Sequence, residues 1–156
     1  MPEVVDLTGD DHVSFEILGN PPPQPRMRRG RYGLYNPGNK QTAAFRNQVK
    51  ALVPATVHGP VFAAGVSLTV VLKFYRRRPN KDFQGNNRLG MLKALIPFFR
   101  PVVPDIDNLA KFVLDGMNGL VYADDRQVVH LSVYKLLDTQ GSCEGRTTVE
   151  VYPYVG

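Results

Sequence analysis

PDIDNLAKFVLDGMNGLVYADDRQV, residues 104–128, holds a helix, its stop and the approach to a strand in one uninterrupted run. Leu109, Phe112, Val113 and Met117 recur at helical spacing and form one apolar stripe. Asp107 or Asn108 can cap this helix through a side-chain oxygen, which sets its predicted start. Its predicted end lies near residue 118, with Gly119 as the residue free to turn left-handed. Asp107, Lys111 and Asp115 follow at four-residue intervals and share the opposite, polar face. Two further strands are predicted after it, at about 127–137 and 146–154, joined by the Gly-containing turn DTQGSCEG.

Upstream, VSFEIL sets Val13, Phe15 and Ile17 against Ser14 and Glu16, a strand pattern that the proline run GNPPPQP ends. A helix is predicted over 39–53, with Asn39 as its cap, Phe45, Val49 and Leu52 on one face, and Pro54 as its stop. A second strand over 66–75 carries Val66, Leu68, Val70, Leu72 and Phe74 on one face and runs into Arg76, Arg77 and Arg78. Residues 79–103 show the least regular pattern and read as an inserted flap, with a short helix broken near Pro97. The order β, α, β, crossover, α, β, β predicts an α+β fold: a compact single domain, 12–156, with a mixed β-sheet and packed helices. Residues 1–11 read as a flexible acidic tail.

A chain of 156 residues with 43% hydrophobic content suffices for one core. Its one cysteine, Cys143, can form no internal disulfide, and no Cys/His cluster offers a zinc site. No apolar run approaches the roughly 20 residues of a membrane span, and the start is acidic where a secretory signal is basic. The expectation is a soluble, intracellular protein. Within the tail, VVDLTGDD resembles a SUMO-interacting motif, in which Val4, Val5, Asp6, Leu7 and Thr8 would add a strand to a partner's sheet edge. That resemblance implies a eukaryotic host and a nuclear setting; otherwise a cytoplasmic one is expected.

The formal charge of +5 understates the basicity of the rest of the chain. Four acids, Glu3, Asp6, Asp10 and Asp11, lie in the first eleven residues without a base among them; setting them aside leaves 10 of the 14 acids against all 19 bases. This balance favours a polyanionic partner. Asp105 and Asp107 stand one residue apart in an extended approach, a spacing that turns both carboxylates to one side, near the positive end of a helix. If the following strand pairs near that approach, either Asp124 or Asp125 can complete a three-carboxylate cluster. Oxygen donors without sulfur or imidazole are the set expected for Mg²⁺, with Mn²⁺ as a substitute. Lys111 suits either of two tasks: balancing carboxylate charge, or contacting a phosphate. Asn108 is a candidate to orient a water or to hydrogen-bond the helix start.

PDIDNLAKFVLDGMNG followed by YADDRQVVHLSVYK resembles the RusA family of Holliday-junction resolvases, and the opening strand with GNPPPQPRMR extends the likeness over most of 12–154. The resemblance implies a homodimer that grips branched DNA, especially four-way junctions, and nicks it in pairs using Mg²⁺ or Mn²⁺. It places the family's metal-binding aspartates on Asp105, Asp107 and Asp125 and its catalytic lysine on Lys111, leaving Asp124 to support the turn and Asp115 in a supporting role. Val103 stands where relatives often have a basic residue.

Two basic clusters, Arg26, Arg28, Arg29 and Arg31, then Lys73, Arg76, Arg77 and Arg78, are expected to line opposite sides of a DNA channel and contact phosphates. Tyr32 and Tyr35 interleave with the first and are candidates to stack on a base or sugar. Gln24, in a mobile proline-arginine segment, is a candidate to probe the junction centre. Other readings are a broader branched-DNA or flap nuclease and a non-cleaving junction-binding protein.

Overall fold

The computed structural model describes residues 12–25, 28–35, 38–53, 59–86, 92–93, 101 and 104–156. The tail motif Val4 to Thr8, Arg26, His58, Arg88, the apolar run 94–99, Arg100 and Val103 lie outside these described residues.

The chain builds strand β1 (Val13–Leu18), a short hairpin β2 (Arg28–Gly30) and β3 (Gly33–Tyr35), helix α1 (Asn39–Leu52), strand β4 (Leu68–Arg76), helix α2 (Ile106–Met117), and strands β5 (Val128–Leu137) and β6 (Arg146–Pro153). The main sheet has the order β1-β6-β4-β5. β6 runs antiparallel to both β1 and β4, whereas β4 and β5 are parallel, so the sheet is mixed as predicted. Parallel neighbours need a crossover, and α2 lies in that connection.

One face of the sheet is apolar because alternate residues share it. Val13 and Phe15 of β1, Val149 and Val151 of β6, and Leu68, Val70, Leu72 and Phe74 of β4 meet Phe45 and Val49 of α1 and Leu109, Phe112, Val113 and Met117 of α2 in one core. The predicted stripe of α2 is therefore its buried face. α1 and α2 touch where the Phe45 ring packs at a tilt against Phe112, with ring centroids 5.1 Å apart. Gly116 makes the approach possible, since a Cβ there would stand 2.3 Å from the Phe45 ring.

Three local expectations are corrected. The cap of α2 is Asp105 rather than Asp107 or Asn108, with extended ψ of 147° and no side-chain capping hydrogen bond. The cap of α1 is Gly38 rather than Asn39, because Pro25 of the proline segment packs where a Cβ would sit, 2.0 Å from its ring. The stretch read as a mobile proline-arginine segment contains the β2–β3 hairpin, closed by Arg31 and Tyr32. In the predicted flap, 3-10 turns form at Asn80–Asp82 and Gln84–Asn86, and Phe83 bridges to Leu92.

Gly116→Ala should overpack the α1–α2 contact and cost about 1–3 kcal/mol. Urea unfolding followed by circular dichroism measures this; an unchanged midpoint would show that the two helices separate freely.

Candidate functional site

Asp105 and Asp107 stand exposed at the start of α2, where unpaired backbone N–H groups favour negative charge. The Asp107 carboxylate accepts a hydrogen bond from the Asn108 N–H at 3.0 Å. Two tertiary contacts hold this end of the helix. Lys135 of β5 donates through Nζ to the Pro104 carbonyl at 3.1 Å, and the Gln24 N–H donates to the Asn108 carbonyl at 2.9 Å. Gln24 thus sits against the first turn of α2, beside the aspartates. Lys111 is exposed one turn later and, among the described residues, pairs with neither Asp107 nor Asp115.

The far end of α2 is fixed by a residue that sequence reasoning missed. Arg46 of α1 donates through Nη1 to the Gly116 and Asn118 carbonyls, at 3.1 and 2.8 Å. A cation there satisfies terminal carbonyls and opposes the negative helix end. Gly119 then takes φ of +77°, as expected of the residue after the stop.

Asp124 and Asp125 open a 3-10 turn, Asp125–Gln127, that touches α2 and leads into β5. Asp124 caps it, accepting from the Arg126 N–H at 2.9 Å. That hydrogen bond is the main reason its carboxyl lies below the usual range. Asp125 is displaced the other way: burial first, then its side-chain contact with Asp124 and the charges of Asp124 and Asp115, hold its carboxyl above the usual range. Tyr122 lies buried beside this group and donates to the Leu114 carbonyl at 2.7 Å. Burial and the charges of Asp125, Asp115 and Asp124 raise its pKa, so the phenol stays a donor. Asp124 is thus occupied in supporting the turn.

Carboxylates crowded on neighbouring elements are chemically suited to a hard cation, which would offset their repulsion. Among the described residues, no three His, Cys, Asp or Glu side chains are gathered closely enough to hold a metal ion. Asp105 and Asp107 belong to the start of α2, whereas Asp125 groups with Asp124 and Asp115, which stands two turns further along the helix than Asp107.

The basic clusters separate. Arg28, Arg29 and Arg31 are exposed on the hairpin, where Tyr32 is 94% exposed and Arg31 lies 5.7 Å from its ring. The second cluster does not form one surface. Lys73 is exposed on the sheet face away from the helices, over the Tyr134 ring. Arg76 donates to the Pro21 carbonyl, bracing the proline segment, and Arg77 pairs with Glu144 at 3.2 Å. Arg78 is 1% exposed, bonded to Asp82 and to the Asp138 carbonyl, and so cannot contact DNA as predicted.

The profile of the endodeoxyribonuclease RusA family matches residues 19–152. The uncharacterized protein YqaN of Bacillus subtilis (strain 168) is 32% identical over 139 residues, which covers 86% of this chain and 94% of that protein. Among the described residues, no helix is long and apolar enough to cross a membrane.

Arg78→Met should cost about 3–5 kcal/mol by leaving a buried carboxylate without its cation. Arg77→Ala, which removes an exposed pair, should cost about 1 kcal/mol or less. Paired thermal melts check both; equal effects would contradict the different placements.

Proposed function

This chain belongs to the RusA family of endodeoxyribonucleases, and on that premise we propose that it cuts branched DNA, four-way junctions above all, with Mg²⁺ or Mn²⁺. The observation that carries this reading is the placement of two aspartate pairs, Asp105 with Asp107 and Asp124 with Asp125, on elements that touch, α2 and the turn before β5. Asp105, Asp107 and Asp125 would hold the cation. When bound, it supplies an activated water and neutralises charge on the phosphate.

The chain's own residues supply the rest. Lys111, exposed between Asp107 and Asp115 on the polar face of α2, is free to meet a phosphate oxygen and stabilise negative charge as the bond breaks. Gln24, whose backbone N–H is tied to the first turn of α2, would touch DNA lying over the aspartates. Arg28, Arg29 and Arg31 offer phosphate contacts from the hairpin, and Tyr32 a stacking surface. A homodimer would present two equivalent sites to the near two-fold junction and so allow paired nicks.

A protein that binds junctions without cutting them is the alternative reading, and cleavage assays separate the two. A fixed-centre four-way junction, flapped and forked substrates and a linear duplex, each with Mg²⁺, Mn²⁺ or EDTA, separate the roles. Symmetric, metal-dependent nicks at the junction alone support a resolvase; cuts in all branched forms assign a broader nuclease; binding without cuts assigns the second reading. Asp107→Asn should lower nicking by about two orders of magnitude or more while leaving junction binding intact, because phosphate contacts dominate affinity. Retained nicking in that variant contradicts the ligand role.

A further inference from the structure

Gln127 is buried where the aspartate turn meets β5, and its amide makes four hydrogen bonds. Oε1 accepts from the Ala123 and Asp124 N–H groups at 2.8 and 3.1 Å. Nε2 donates to the Ala63 and Val66 carbonyls at 2.8 and 3.1 Å. The bond from the Asp124 N–H closes a capping box around the turn, and a glutamate would accept both bonds of this pair equally well. The second pair needs a donor, which a glutamate lacks at neutral pH. It reaches a segment more than sixty residues earlier in the chain, just before β4.

Capping alone gives no reason for that second pair. The approach to β4 is itself secured to the turn before the aspartates: the Val61 and Phe62 N–H groups donate to the Leu120 and Val121 carbonyls at 3.3 and 2.9 Å. Asp125 therefore lies between two anchored residues, Asp124 directly before it and Gln127 two positions after it. Asp124 on one side is gripped by Oε1; Gln127 on the other is tied by Nε2 to the support of the central strand β4. A buried amide with both its donors and two acceptor sites engaged admits few alternative arrangements of the chain around it.

We propose that Gln127 is a positioning residue that sets the Asp125 carboxylate for the cation, resting on the functional reading given above. It touches neither DNA nor the ion; it holds the turn that carries Asp125.

The test measures Mn²⁺ binding directly, by calorimetry on folded protein without DNA, at a temperature well below each variant's melting point. Gln127→Met keeps the volume and removes all four bonds. It should weaken Mn²⁺ binding by about tenfold or more, the loss typical of a residue that orients a ligand. Val49→Ala, in the core away from the turn, serves as a control with lowered stability and should leave Mn²⁺ affinity unchanged. Gln127→Glu covers the case in which the methionine variant does not fold. It keeps both acceptor bonds and loses both donations, while its added carboxylate would by itself strengthen cation uptake. Weaker Mn²⁺ binding by this variant than by the parent supports positioning. Equal or tighter binding in the Gln127 variants, with Mn²⁺ bound normally by the parent, overturns the inference alone; a parent that binds no Mn²⁺ overturns the metal reading and the inference with it.

Discussion

Two parallel strands side by side, β4 and β5, impose the constraint on which the rest of this fold depends. Their connection must return to the starting end of the sheet, and α2 buries its apolar face there against the sheet and α1. Because the helix is seated by Leu109, Phe112, Val113 and Met117, its polar face has only one orientation available. Asp107, Lys111 and Asp115 follow from that seat, and so does the contact with the turn that carries Asp124 and Asp125. Gly116 against Phe45 and Arg46 on the terminal carbonyls secure the same helix from α1. The site is thus a consequence of core packing, with few of its supports drawn from the site itself.

Much of this was legible because it is local. The stripe of α2, the alternation in β1 and the strands after the aspartates depend on periodicity within a single element, and the described boundaries lie within about two residues of the predicted ones. The helix caps were not legible. Gly38 starts α1 because Pro25 packs on it, and Asp105 starts α2 while Lys135 holds the preceding carbonyl; both are contacts between distant parts of the chain. The hairpin is not legible because its strands, Arg-Arg-Gly and Gly-Leu-Tyr, are three residues each, too short to show an apolar alternation.

Charge was the least reliable guide to position. Arg76, Arg77 and Arg78 form one block in sequence, yet one braces the proline segment, one pairs on the surface with Glu144 and one is sealed in the interior with Asp82. Asp82 is only four residues from Arg78, but the Asp138 carbonyl could not be assigned to it without the tertiary arrangement. Gln127 hid in the same way. At the head of a predicted strand it reads as an ordinary polar residue, and only the approach of the 61–66 segment reveals the two carbonyls that its amide engages. What composition did convey, a basic chain with a focused acidic motif, is consistent with membership in a nuclease family.

The central claim is that carboxylates from α2 and from the turn before β5 serve one cation. Anomalous diffraction from crystals soaked in Mn²⁺ addresses it most directly. The account predicts a manganese peak bounded by the carboxylates of Asp105, Asp107 and Asp125. An ion held instead by Asp115 and Asp124, or no manganese at the start of α2, would contradict it.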